Sequence, residues 1–350
     1  MIAKTPSQQK KATALQRELL VLLGILVVLN VGAALLGWWP RVWWALLFVD
    51  FVLVVRIAER LEPHIPYRRQ TLFKRALAVG FPVLVLVAWE LIVRADILNP
   101  RWFPPPTTIA AALWDLIVSY DRFNETSLLG RPWLIPQVYP EEGWAGVRRL
   151  FTESHVLATL LRVLFGFLIG ASLGLVVGMA MGLNKTVRMM LDATMSAVYV
   201  LPKIAIFPLM MLIFPDPFGE GPKIAVVAIS AFFLVAISTM TGVHGIDKVY
   251  LEAGKNYGAS GLRMLRHVII PGALPIIFSG FRLALGTALI VVVAVEFIRS
   301  QTGVGFLIFY YWQILVTEKM YAGLFVVMVL GVSLTFGLQW LEHKVMPWRR

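Results

Sequence analysis

Apolar positions in this chain arrive in unbroken blocks and not as the stripes of a soluble helix. Leu19–Trp39 runs for 21 residues without a charge, and Ile224–Val243 and Tyr321–Leu341 are likewise uncharged. Such blocks match the ~20 residues that carry a helix across a bilayer. Four further blocks carry isolated charges: Ala76–Val93 holds Glu90, Val156–Leu183 holds Arg162, Met189–Phe214 holds Asp192 and Lys203, and Gly272–Ile298 holds Arg282 and Glu296. Val42–Val55 has only 14 residues and contains Asp50, so it predicts a short or tilted span. The pattern predicts an all-α integral membrane protein with eight spans, two of them N-terminal to a set of six. Residues 1–75 then form an N-terminal extension with two spans and a basic linker, and 76–350 form the core.

Composition agrees, with 59% hydrophobic and 15% charged residues. Soluble domains lie nearer one half and one quarter. The first block follows a basic leader (Lys4, Lys10, Lys11, Arg17) but is too long for a signal peptide and lacks a small-residue cleavage site, so it reads as an uncleaved anchor. The net charge of +12 contains no run of five like charges, which favours basic cytoplasmic loops over nucleic-acid binding. With the N-terminus inside, cytoplasmic segments hold 19 Lys and Arg against 10 on the other side. That bias orients the chain with both termini in the cytoplasm. The absence of cysteine excludes disulfides and cysteine-ligated metal. The five histidines show no metal or catalytic spacing, so no catalytic residue is assigned.

Two segments outside the spans are sizeable. In 94–155 a proline-rich stretch leads to a short amphipathic helix beginning near Thr107 or Thr108. Asp121–Glu153 mixes charges, Gly, Pro and Trp without periodicity and predicts an external loop with little regular structure. The cytoplasmic segment 244–270 is more definite. Asp247 is a good N-cap for a helix from Lys248 to Tyr257, Gly258 falls where a left-handed cap is needed, and Ser260 can cap a second helix through His267. Val249, Ala253 and Tyr257 share a face of the first helix, and Pro271 begins the next span. A plain connector between spans needs far fewer residues.

Within this loop Glu252-Ala253-Gly254, Gly258 and Val268-Ile269-Ile270-Pro271 are spaced as in the "EAA…G…I-L-P" signature. The chain thus resembles binding-protein-dependent ABC importer permeases, departing from the signature at Gly254, where alanine is usual. "VLPKIAIFPLMMLIF" (200–214), "FRLALGTALIVVVAVEF" (281–297) and "GVGFLI" (303–308) are similar to the nitrate, sulfonate, taurine and bicarbonate branch. The resemblance covers about residues 80–348, apart from an insert near 120–150 and the N-terminal spans. It implies a type I importer helical bundle in the bacterial inner membrane, with six core spans plus about two extra ones. It also implies a second permease copy in a homodimer, an external solute-binding protein and separate ATPase subunits carrying ATP and Mg. Glu252, Ala253, Gly254, Tyr257, Gly258 and Pro271 would form the coupling element. No GxxxxGK[ST] phosphate loop is present, so ATP hydrolysis falls to the partner. The implied cargo is a small anion: nitrate, bicarbonate, a sulfonate or an organic acid. A self-contained secondary transporter or channel is the alternative.

Within the spans, Gly166, Gly170, Gly174, Gly178 and Gly182 recur every four residues and predict close helix packing, within one subunit or between two. Arg162 and Glu296 fall at similar depth near the outer ends of their spans, so they can pair. Charges inside a bilayer must face protein or water. For Arg162, Arg282 and Glu296, a structural ion pair and a lining of the pathway are both open readings. Pro202 and Pro208 break one span around Lys203, either to kink it or to line a cavity, and Lys203 can face an anion or snorkel to the interface.

Overall fold

The computed structural model describes residues 6–122 and 124–349, with side chains from Arg17 onward apart from those of Arg299 and Arg349. Lys4 and Arg350 lie outside the described residues. Cα packing separates two units, Met1–Pro106 and Thr107–Arg350.

The first unit contains α1 (Pro6–Leu35), α2 (Trp39–Leu61) and α3 (Tyr67–Arg94). Gly37 at φ +65° turns α1 into α2, closing the helix with Trp38 N to Ala33 O at 2.9 Å and Gly37 N to Ala34 O at 3.1 Å. Only a residue without a Cβ takes that left-handed position cheaply. α1 from Arg17 and α3 are long and apolar enough to cross a membrane. α2 is helical for 23 residues, longer than the 14-residue apolar block, and Arg41, Asp50, Arg56, Glu59 and Arg60 put at least three charges into every 18-residue stretch of it. Asp50 is held by Asn30 of α1, whose Nδ2 donates to both carboxylate oxygens at 2.9 and 3.0 Å.

The second unit begins with α4 (Pro106–Val118), α5 (Ile135–Thr152), α6 (His155–Leu183), α7 (Lys185–Val200) and α8 (Phe207–Ile213). It continues with α9 (Glu220–His244), α10 (Lys248–Asn256), α11 (Gly261–Met264), α12 (Ile270–Arg299), α13 (Val304–Gln313) and α14 (Thr317–Val345). Its core clusters Val163 and Phe167 of α6 with Val227 and Val235 of α9 and Ala288 and Val292 of α12. The opposite face of α6 presents Leu168, Leu173 and Val176, the last 70% exposed. Apolar outside as well as inside is the burial pattern of a helix whose solvent is hydrocarbon. Among the described residues six helices suffice to cross a membrane, or seven when α7 and α8 count as one broken span.

The glycine stripe packs within the chain, against α9. A β-carbon at Gly170 would lie 2.2 Å from Ala228 O, at Gly174 2.8 Å from Phe232 O, and at Gly178 2.4 Å from Ala236 O. Gly166 meets Val227 and Gly182 meets Val243 in the same way. Lipid gives helices no hydrophobic reason to associate, so backbone contact at small residues supplies dispersion instead.

Residues 121–153 are more regular than their composition suggests. α5 occupies 135–152 as two helical pieces joined at Gly143 (φ +61°), with Val147 and Leu150 buried. Pro136 lies in the first turn, where a missing N–H is harmless, and Pro140 lies inside the first piece, three residues before the Gly143 joint. Arg131 fastens the segment by donating to Glu153 at 2.8 Å while its guanidinium lies 3.6 Å from the Tyr120 ring centre. Burial, and then the Glu153 charge, raises the Tyr120 phenol above its ordinary pKa.

Candidate functional site

Three places carry the sequence-derived residues. The first is the loop after α9. Asp247 caps α10, its carboxylate accepting from Val249 N at 3.0 Å. Gly258 takes φ +77° and completes a Schellman closure, with Ala259 N on Gly254 O and Gly258 N on Lys255 O, both at 2.9 Å. Around this corner large apolar side chains stand exposed among charged ones. Val249 is 66%, Tyr250 67%, Tyr257 92% and Leu262 77% exposed, and Glu252 and Ala253 are exposed beside them.

Gly254 departs from alanine for a visible reason. It is buried, and a β-carbon there would sit 3.0 Å from Val268 Cγ2 and 3.1 Å from the end of Met264. Glycine lets α10 lie directly against the following helix.

That following helix does not begin at Pro271. The chain is already helical at Gly261, passes through a π turn at Leu265–Ile269 and continues as α12, so Gly261–Ile298 is one 38-residue span candidate. The extra residue of a π turn shifts the hydrogen-bond register, which lets a helix run past a residue without an N–H. Ser260 precedes α11 without a side-chain cap bond.

The second place is the α7–α8 break, where the two helices are bent by 95°. Pro202 stands at the start of a short 3-10 turn, Lys203–Ile206, and Pro208 stands in the first turn of α8. Both prolines begin elements instead of kinking one. Lys203 donates its Nζ protons to Tyr199 O and, at 2.9 Å, to Leu201 O, and the ammonium lies 5.0 Å from the Tyr199 ring centre. It satisfies carbonyls that the break leaves without helical partners.

The third place is a buried polar network at the start of α6. Arg162 Nη1 donates to Glu296 Oε1 at 2.7 Å and to Thr302 O at 2.7 Å, while Nη2 reaches Glu220 at 2.8 Å and Thr302 Oγ1 at 3.0 Å. Glu296 also accepts from Thr159 Oγ1 at 2.9 Å and from Gly305 N at 2.8 Å. Lys223 completes the charge balance by donating to Glu220 at 3.1 Å. Arg162, Lys223 and Glu296 are 2%, 4% and 1% exposed. Two cations and two carboxylates, with every N–H-bearing nitrogen of the Arg162 guanidinium bonded, form a polar knot.

The knot holds the turn between α12 and α13. Gly303 has φ +119°, its N donates to His155 Nδ1 at 3.1 Å, and a β-carbon there would lie 2.3 Å from the Glu296 carboxyl carbon. Sequence reasoning paired Arg162 with Glu296 but missed Glu220, Lys223, Thr159 and Thr302. The available signal was the Gly303–Gly305 turn just beyond Glu296. Arg282 stands apart, bound to Glu342 of α14 at 2.7 Å.

The described residues thus hold six helices that suffice to cross a membrane, a 95° break between α7 and α8, and a glycine-cornered two-helix loop after α9. The chain belongs to the family of binding-protein-dependent transport system inner membrane components, whose model matches residues 157–347. That range contains the break, the loop and the whole knot. The taurine transport system permease protein TauC of Escherichia coli is 30% identical over 83% of this chain and 94% of its own length. A provisionally named aliphatic sulfonates transport permease protein, SsuC of Bacillus subtilis, is 30% identical over 77% of this chain and 86% of its own. These relatives place the chain in the taurine and sulfonate branch of ABC importer permeases. A solved inward-facing form of the MetNI methionine ABC transporter aligns at 20% identity with TM-score 0.44, covering 61% of this chain and 95% of that one.

Proposed function

We propose that this chain forms the solute pathway of an ATP-driven importer for small anions and takes its energy from a separate ATPase. A sulfonate or another small organic acid is the favoured cargo, because the chain's relatives are named for taurine and aliphatic sulfonates. The reading rests chiefly on one observation: Val249, Tyr250, Tyr257 and Leu262 form an exposed apolar knuckle on a capped helical corner between two spans. A patch of this kind on a polar surface marks a protein contact. Glu252, Ala253, Gly254, Tyr257 and Gly258 build that contact in this proposal, and Pro271 lies on the helix leading away from it. The full transporter would hold two copies of the chain in an inner membrane, both termini in the cytoplasm, with an external binding protein delivering solute.

The test is reconstitution with the candidate ATPase and binding protein in liposomes. Tyr257→Asp is expected to reduce ATP-dependent uptake at least tenfold and to abolish co-purification of the ATPase, with an unchanged melting temperature. Uptake of the same solute by the chain alone, without ATP, would sink the proposal in favour of a secondary transporter.

A further inference from the structure

The N-terminal extension lies outside the family model, and its charged end carries a groove of about 600 Å³ lined by Arg17, Glu18, Val21, Leu22, Arg56 and Arg60. The sequence brings these residues together in two ways. Arg17 opens the apolar stretch of α1, and the turn at Gly37 sends α2 back alongside it. Arg56 and Arg60, near the end of α2, therefore return to the level of Arg17, and Arg60 reaches Glu18 at 3.5 Å.

The donors of this groove are open. Among the described residues the guanidiniums of Arg17, Arg56 and Arg60 donate no hydrogen bond, and Arg17 has no ion-pair partner. Arg60 has the 3.5 Å pair to Glu18 and Arg56 a 3.6 Å pair to Glu59, both longer than a hydrogen bond. Such exposed pairs hold their partners weakly. The Arg56 and Arg60 side chains are 67% and 60% exposed, so a ligand reaches them. A guanidinium only donates, and its planar fork matches the oxygens of a phosphate. The lining sets three arginines against Glu18, and cations still outnumber acids with Glu59 counted, which selects an anion. Arg60 also suits the C-terminal end of α2, but Arg17 lies inside α1 and gains nothing from a helix end.

The floor selects among anions. Val21 and Leu22 line the groove and belong to the span candidate of α1. Beside Arg56 and one turn toward the bilayer, Val55 and Val52 of α2 stand exposed, as do Leu20 and Val21 of α1. A water-soluble anion would leave this apolar lip in water, whereas an amphiphile uses both parts. We propose that the groove binds an anionic phospholipid, its phosphodiester on Arg17, Arg56 and Arg60 and its acyl chains along Val21 and Leu22. A zwitterionic headgroup would bring an ammonium against the same arginines. Basic pockets between membrane helices hold acidic headgroups in this way. Bound there, the lipid bridges the ends of α1 and α2.

The test uses the full chain in dodecyl maltoside micelles without ATPase, binding protein or solute, so its outcome is independent of the transport reading. Native mass spectrometry during titration with dioleoylphosphatidylglycerol is expected to show a retained lipid on each chain. Dioleoylphosphatidylcholine should need about tenfold more for equal occupancy, and Arg17→Gln/Arg56→Gln/Arg60→Gln should weaken phosphatidylglycerol binding by about tenfold or more. Arg68→Gln/Arg69→Gln/Arg75→Gln removes the same charge from exposed positions outside the groove and should bind as the wild type does. If the groove variant fails to assemble, Arg17→Gln alone carries the comparison with an expected loss of about fivefold, since it strands no ion-pair partner. Equal losses in the two triple variants would reduce the effect to general attraction by basic charge and overturn the proposal. So would equal occupancy by phosphatidylcholine, or no retained lipid on the wild type. Displacement of the lipid by millimolar inorganic phosphate would assign the groove to a soluble anion and overturn it as well.

Discussion

Arg162 and Glu296 meet at 2.7 Å with their side chains 3% and 0% exposed, although 134 residues separate them in the chain. Glu220 binds the same guanidinium from a position where its side chain is 54% exposed. Two carboxylates on one arginine thus differ greatly in their access to water.

That difference sets a graded prediction. Glu296→Gln leaves a buried cation short of its buried partner and is expected to cost about 3–5 kcal/mol. Glu220→Gln is expected to cost about 1 kcal/mol or less, since water screens that side. Thermal unfolding of both variants in nanodiscs checks the order, and equal losses would refute it.

The glycine stripe offers a paired test on helical glycines. Gly170→Ala drives a methyl group to 2.2 Å from Ala228 O and should destabilise by about 1–3 kcal/mol through overpacking. Gly286→Ala on α12 meets nothing within 4 Å and should be neutral or stabilising by up to about 1 kcal/mol. The same unfolding assay reads both.

At Gly258 no neighbour obstructs a side chain, so backbone conformation alone is tested. Gly258→Ala should cost about 1 kcal/mol at φ +77°, and Gly258→Asn less, because asparagine tolerates the left-handed region better. Faster tryptic cleavage at Lys255 and Arg263 in the alanine variant, with the asparagine variant between it and wild type, is the expected result.

Lys203 is occupied by the carbonyls of Tyr199 and Leu201. Lys203→Met should therefore lower stability by about 1–2 kcal/mol while leaving the affinity for transported solute unchanged. A large rise in the half-saturating solute concentration, with stability intact, would instead assign the ammonium to the cargo.

Features made by neighbouring residues were legible in the sequence. Asp247, Gly258 and the length of the α10 corner follow from capping chemistry, which acts over a few residues. The Arg162–Glu296 pair was legible for another reason, since two charges at equal depth in apolar runs have few other partners. Glu220 escaped because it precedes its apolar block and looks like an ordinary loop acid. α5 escaped because prolines and Gly143 mask its period. Pro202 and Pro208 signalled the α7–α8 break, but its 95° angle and the reason for Gly254 depend on where other segments land, Met264 and Val268 among them. The charged α2 was legible as a helix from its run of 14 apolar residues, but not in its full length of 23.

The continuous helix from Gly261 to Ile298 has a mechanical consequence. At 1.5 Å per residue its 38 residues make a rod roughly 57 Å long. One end emerges at the exposed corner beside Gly258, and Glu296 sits two residues from the other. Corner and knot thus lie at opposite ends of one helical run, whose regular hydrogen bonding is interrupted by the π turn at Leu265–Ile269 and by Pro271 and Pro275.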